Sequence, residues 1–381
     1  MNSQIKTIKT GVIGAGAISD IYLKNLTGLF DCFDVKAICA RHLARAQIKA
    51  EQYNIQACTL EEMLADPEIQ LVVVLTPVDT HFEIIRQALL AGKHVYTEKT
   101  IAETTQQARA LCAMADEKNL YLGSAPDTFL GTCFQTARKA IDQGIIGEIH
   151  SFSIAISRNN DLGTALFPFL RLPGAGCLRD YMVYYITALI SLLGPAKRAS
   201  AFVKTPYPRR RNTVPGTDGF GEIIPTPNES IVTAILELKN GIVGTIHENN
   251  ETILADRADF AIYGTNGILL LGNPNQFGDP VRLLRAKPGA SLEPETLEPV
   301  SGYGGNARGL GAADLVEALR SGRPNSASKE MAAHVLEILE AIELSGQSGQ
   351  AKEITSSCVR PLRFLCDWPF DVLHDKTSCV P

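Results

Sequence analysis

The sequence predicts an α/β protein: an N-terminal Rossmann-type doubly wound parallel sheet, then an α/β domain with a large, mostly antiparallel open sheet. Three observations predict it. "IKTGVIGAGAISDIYLKNL", residues 8–26, reads as a strand, a glycine turn and a helix. Strand-like and helix-like runs then alternate through "DVKAICA" (34–40) and "TPVDTHFEIIRQALLAGKHVYTEK" (76–99), and alternating βαβ units imply a parallel, doubly wound sheet. Farther on, apolar and polar residues alternate around Asn240-Gly241 and Asn266-Gly267, the strongest short-range hairpin signal. The expected division is a dinucleotide-binding domain over 1–125, a substrate-binding and oligomerisation domain over 126–350, and a C-terminal extension, 351–381, packing on the body.

The glycine turn is Gly14-Ala15-Gly16-Ala17-Ile18-Ser19, with serine where a third glycine would sit. Gly14 permits the tight turn. Gly16 lets the backbone N–H groups of Ala17 and Ile18 approach a pyrophosphate at the positive end of the helix. The second strand ends in "ARHLARAQ", residues 40–47, which holds no carboxylate to bond the ribose 2′-OH of NAD; Asp34 is at the strand's other end. Arg41, helped by His42 or Arg45, is placed to meet a 2′-phosphate, so NADP is favoured over NAD. The other reading is a surface arginine opening a helix.

The strand in "GKHVYTEKTIAET" ends at Glu98-Lys99, on the carboxyl edge of a parallel sheet, where open α/β folds bind ligands. Burial lowers a lysine's pKa, which suits Lys99 to handling a substrate hydroxyl proton; the plain reading is an ion pair with Glu98 or Asp66. Thr104 and Gln107 look like a capping box for the next helix. Beyond, strand-like runs at 148–157 and 196–203 join the two hairpins, and this sheet needs a cover of helices or a second subunit. The stretch "GCLRDYMVYYITAL", residues 176–189, sets Asp180 and Tyr184 four apart, so on a helix they share one face. Residues 204–228 form a proline-rich excursion, a lid or a subunit arm.

With 381 residues, 45% hydrophobic, and a net charge of −5, the chain lacks the basic footprint of a nucleic-acid or anionic-membrane binder. Its one basic run, Arg209-Arg210-Arg211, lies among prolines and reads as a solvated loop. No apolar stretch approaches the roughly 20 residues of a membrane span, and no secretory leader precedes the first strand. Nine cysteines without a Cys-x-x-Cys fit reduced thiols in a cytoplasm, and no motif indicates a metal.

"GVIGAGAISDIYLKNL", "AGKHVYTEKTIA" and "APDTFLG", in this order and spacing, resemble the glucose–fructose oxidoreductase / inositol dehydrogenase (Gfo/Idh/MocA) family, to about residue 350. The resemblance implies NAD(P)-dependent hydride transfer on sugars, glycosides or cyclic polyols, and dimers or tetramers built through the open sheet. The family's Glu-Lys-Pro segment corresponds to Glu98-Lys99-Thr100, which keeps the lysine and lacks the proline. Its Asp-x-Gly-x-His helix corresponds to Asp180 through Tyr184, with Met182 for glycine and Tyr184 for the proton-transferring histidine; a branch reading Asp-x-Gly-Pro-Tyr-Tyr is nearer. The resemblance makes Lys99, Tyr184 and Asp180 catalytic and puts Thr76, Pro77 and His81 beside the nicotinamide, although His81 reads equally as a helix-start histidine bonded to backbone. Asp127, Arg179, Tyr185, Asn306 and Arg308 are the expected substrate contacts. Two alternatives are a lyase or glycosidase cycling tightly bound NAD and a non-catalytic nucleotide-dependent regulator.

Overall fold

A computed structural model describes residues 7–172, 174–285 and 293–363. They form two compact units. One holds the chain as far as Thr132 and also Ser301–Leu336; the other holds Cys133–Val300 and Glu337–Arg360. The chain thus returns to the first unit after residue 300. Of the extension, residues 364–381, with Trp368, lie outside the described residues.

The first unit runs β1 (Ile8–Ile13), α1 (Ser19–Gly28), β2 (Phe33–Cys39), α2 (Leu43–Tyr53), β3 (Gln56–Cys58), α3 (Leu60–Ala65), β4 (Leu71–Val74), α4 (His81–Leu90), β5 (His94–Thr97), α5 (Thr105–Glu117) and β6 (Leu122–Ser124). Its six strands are ordered β3-β2-β1-β4-β5-β6 and every pairing is parallel. All four residues of β4, "LVVV", are buried, as in a strand covered on both faces. Ile13, Val72, Val74, Val95 and Leu122 from the strands pack with Ile85, Leu89 and Leu111 from the helices. The parallel order carries the ends of β1, β2, β4 and β5 to one sheet edge, and there the glycine turn, Arg41, Thr76 and Lys99 all follow their strands.

The second unit contains α6 (Thr132–Asp142, whose first residue ends the other unit), β7 (Ile149–Asn159), α7 (Asn160–Leu166), α8 (Val183–Leu193), β8 (Ala196–Lys204), β9 (Arg209–Arg211), β10 (Ile223–Pro225), β11 (Ile231–Leu238), β12 (Val243–Asn249), β13 (Glu251–Gly264), β14 (Gly267–Leu271), β15 (Arg282–Arg285), β16 (Glu295–Thr296) and β17 (Lys352–Glu353). Nine of these strands make one sheet, β16-β15-β14-β13-β7-β12-β11-β8-β17, antiparallel except for the pair β7–β12. One face is covered by helices: Phe134 of α6 and Tyr185 of α8 both pack on Phe260 of β13, with ring centroids 6.4 and 6.3 Å away. The arginine triplet is not a solvated loop. It forms β9, which pairs with β10, and Arg210 bonds Asp161 at 2.5 Å and Glu251 at 2.8 Å. Among the described residues no helix is long and apolar enough to cross a membrane.

The fold carries an acid lability. Nδ1 of His94 accepts the Tyr121 amide at 3.0 Å, and burial pulls the His94 pKa from 6.5 down to about 4. An unfolded chain takes up this proton first, so the stabilisation is whole above pH 6.5 and is lost as pH falls toward 4, by about 3 kcal/mol. His94→Asn, which keeps an acceptor and does not titrate, is expected to lose less melting temperature between pH 7 and pH 4.5 than the wild type. Equal slopes would refute this account.

Candidate functional site

Backbone geometry explains the glycine turn. Gly14 has φ +116°, and a Cβ there would lie 2.8 Å from the carbonyl of Leu75, so no other residue fits. A Cβ on Gly16 would meet nothing within 4 Å. The serine in the third-glycine place is buried, and its Oγ donates to the Gly16 carbonyl at 2.6 Å, tying the turn to α1. Gly16 and Ala17 are exposed, Ile18 is half-buried, and no side chain caps the helix. Open space before uncapped amides at a helix N-terminus fits the phosphates of a dinucleotide. Arg41 stands exposed two residues past β2, whose Cys39 carbonyl accepts from Gly14 N at 2.8 Å, while Asp34 begins that strand.

Lys99 follows β5 and is half-buried. Its amide donates to Glu98 Oε2 at 3.1 Å, and Glu98 Oε1 accepts the hydroxyl of buried Tyr22 at 2.7 Å. Glu98 is therefore braced by α1, and it in turn braces the lysine's backbone. The Lys99–Thr100 peptide is cis. His81 is the first residue of α4. It is fully buried, its ring nitrogens lie 2.8 Å from the carbonyls of Thr76 and Thr100, and burial lowers its pKa against the pull of those carbonyls. It fastens the loop after β4 to the loop after β5.

Asp127 lies three residues past β6. It is 1% exposed, and its Oδ2 accepts from the amides of Gly309 and Gly311 at 2.9 and 3.0 Å, capping the helix Leu310–Ser321. Asn306 and Arg308 belong to this first unit. Asn25 of α1 donates to both their carbonyls, at 2.9 and 2.8 Å, and Arg308 Nη1 donates to Asn306 Oδ1 at 2.8 Å.

In the second unit Asp180 lies in a π-helical turn, Leu178–Met182, that runs into α8, where the Val183 amide donates to the Leu178 carbonyl. The expected one-face geometry of a regular helix is thus modified at its start. Asp180 Oδ2 sits 3.6 Å from Arg158 Nη1, and the Arg158 guanidinium covers the Tyr181 ring at 3.8 Å. Tyr184 is 9% exposed. Its neighbour Tyr185, expected to touch substrate, is wholly buried with its ring on Phe260. Arg179 is directed elsewhere, pairing with Glu343 at 2.9 Å. Gly176 has a steric reason: a Cβ there would lie 2.0 Å from Glu229 Oε1, the atom that accepts the Leu178 amide.

Sequence reasoning missed Arg158, Glu248 and Asn250. The signal was period two. On β12, Gly244 and Ile246 are buried and Glu248 is next on that face; on β7, Arg158 follows Phe152, Ile154 and Ile156. Among the described residues no group of three His, Cys, Asp or Glu could hold a metal ion.

Two family models match. The one described as an oxidoreductase family with an NAD-binding Rossmann fold (Gfo/Idh/MocA) covers residues 8–125, and the Gfo/Idh/MocA C-terminal domain covers 134–270. The chain is 27% identical over 201 residues to scyllo-inositol 2-dehydrogenase (NADP(+)) of Bacillus subtilis, covering 52% of this chain and 56% of that one. It is 27% identical over 259 residues to D-glucoside 3-dehydrogenase of Escherichia coli, covering 67% and 71%. The chain spans about half the length of several curated relatives it matches. In fold it is similar to levoglucosan dehydrogenase in complex with NADH and L-sorbose, with TM-score 0.80 and 22% identity, covering 92% of this chain and 99% of that one.

Proposed function

The chain belongs to the Gfo/Idh/MocA oxidoreductase family, and from that premise we propose that it is an NAD(P)-dependent dehydrogenase of a sugar, glycoside or cyclic polyol. The observation that carries the reading is the shared sheet edge: an uncapped helix N-terminus behind Gly14 and Gly16, and an ammonium, Lys99, two residues beyond β5. A bound nicotinamide supplies the hydride acceptor or donor. Lys99 favours the ionised form of a substrate hydroxyl, because a positive charge near an oxygen lowers its pKa. Tyr184, in the place of the family histidine, gives its phenolic proton to a nascent alkoxide and takes one in the reverse direction. Asp180, held by Arg158, orients a substrate hydroxyl; Asn306 and Arg308 are further proposed contacts. The related dehydrogenases named above support this reading over the lyase and regulator alternatives. The test is the nicotinamide absorbance of the full chain with a panel of sugars and cyclitols. No change with any of them would end the proposal.

NADP is the proposed cofactor. Its support is exposed Arg41 past the end of β2, the absence of a carboxylate at that end, and a relative named for NADP(+). Arg41→Ala is expected to raise KM for NADP about tenfold or more, a charge-assisted phosphate contact being worth roughly 1.5–3 kcal/mol, and to spare KM for NAD. Equal effects on both cofactors would remove Arg41 from this role.

Assembly as a dimer or tetramer is proposed through the sheet's uncovered face. Phe202 of β8 is 74% exposed and lies opposite Thr233 of β11, the residue two before half-exposed Ile235. Sedimentation should give an oligomer for the wild type and a smaller species for Phe202→Glu; an oligomer unchanged by Phe202→Glu contradicts this interface. A reducing, cytoplasmic setting is proposed from the nine cysteines spaced without a Cys-x-x-Cys.

A further inference from the structure

Of the seven described cysteines, only Cys39 and Cys58 lie on strands. Each is the last residue of its strand, β2 and β3, and the parallel register sets the two directly opposite one another. Neighbouring strands lie about 4.8 Å apart, inside the roughly 4.4–6.8 Å range of Cα separations that a disulfide spans. The side chains share a face: Cys39 belongs to the core cluster with Ala37 and Met63, and Cys58 packs against that cluster. Both thiols are free, and the hydride chemistry proposed above uses neither.

Access separates the two. Cys39 is 2% exposed, whereas Cys58 is half-buried, so an external reagent reaches Cys58 first and Cys39 only from within the fold. Burial raises both thiols, Cys39 to about 12, which makes the exchange slow and leaves its order to geometry. We propose that Cys39 and Cys58 form a reversible disulfide at the cofactor end of the first unit's sheet, with a small-molecule disulfide such as glutathione disulfide as oxidant. Deprotonated Cys58 attacks one sulfur of that disulfide and expels a thiolate; deprotonated Cys39 then attacks the Cys58 sulfur and expels the second. The protein gives up two electrons and two protons, and the oxidant leaves as two thiols. The effect falls on the dinucleotide. The Cβ atoms of a disulfide lie about 3.8 Å apart, less than the strand spacing, so the bond draws the end of β2 toward β3. That end carries the Cys39 carbonyl, which accepts the Gly14 amide at 2.8 Å, and Arg41 follows two residues later. This last step rests on the NADP reading above.

The experiment incubates the full chain with glutathione disulfide, blocks the remaining thiols, maps the linked peptides by mass spectrometry and titrates the protein with NADP. The expected product is a Cys39–Cys58 peptide pair, two hydrogens lighter than the reduced peptides, in a protein that binds NADP about threefold or more weakly. Dithiothreitol should reverse both changes. Cys58→Ser should form no link at Cys39 and should keep its NADP affinity through the same treatment. Cys39→Ala should stop at a glutathione adduct on Cys58, which shows the order of attack. A wild-type chain that forms no Cys39–Cys58 link overturns the proposal, and so does a linked chain whose NADP affinity is unaltered. A reduced chain that binds neither dinucleotide would instead remove the cofactor reading, and the peptide map alone would then decide the disulfide.

Discussion

Lys99→Met should lower kcat about 10²–10⁴-fold, the usual worth of a positioned acid–base group, while the dinucleotide still binds. Methionine keeps the length of the stem and removes only the charge. The backbone around it is fixed by bonds the substitution leaves intact. Glu98 N donates to the Val74 carbonyl, Lys99 N to Glu98 Oε2, and the Thr100 carbonyl meets His81 Nδ1. The melting temperature should therefore move little, and a large fall in kcat cannot be blamed on misfolding. Lys99→Arg keeps the charge on a planar head and should recover part of the rate. Tyr184→Phe should fall in the same range, and its loss should ease at high pH, where solvent base takes over the proton. A Lys99→Met enzyme with a tenth or more of the wild-type kcat would strip Lys99 of its role.

What the sequence made legible follows from periodicity and turn chemistry. The period of alternation marks β7, β8, β11 and β12, and Asn240-Gly241 marks the turn between the last two, with Gly241 at φ +87°. The second hairpin turns one residue earlier than its signal: Gly264 faces Gly267 across Thr265 and Asn266. The glycine turn was readable because one residue, Gly14, has no substitute. Side-chain roles were harder, since a polar residue's partner is a matter of tertiary placement. His81, Asp127 and Arg179 each carry groups suited to a ligand, and each is engaged by a carbonyl, an amide or a carboxylate that comes from elsewhere in the chain. Arg210 was misjudged for the same reason: its acids, Asp161 and Glu251, are distant in sequence. Glu248 went unnoticed although its register was visible, because a carboxylate at the end of an apolar face is normally read as the strand leaving the core.

The two glycines of the turn should fail in opposite ways. Gly14→Ala combines a positive φ, which costs a side-chain-bearing residue about 1–3 kcal/mol, with a Cβ placed 2.8 Å from the Leu75 carbonyl. That carbonyl cannot yield cheaply. Leu75 N donates to the Ile13 carbonyl at 2.7 Å, and β4 just before it is buried at all four positions. Overpacking of this kind adds about 1–3 kcal/mol, so the cofactor-free protein should melt several degrees lower, by roughly 2–4 °C for each kcal/mol lost. Gly16→Ala meets no atom within 4 Å and has no positive φ, so the cofactor-free protein should melt within a degree or two of the wild type. Its methyl instead enters the space that a pyrophosphate approaches, and dinucleotide affinity should drop about tenfold or more. Measured together by melting and by equilibrium binding, the pair separates a residue that builds the turn from one that clears room for a ligand. Unaltered dinucleotide binding by Gly16→Ala would mean that the open space before α1 holds no phosphate, and the cofactor assignment would lose its structural support.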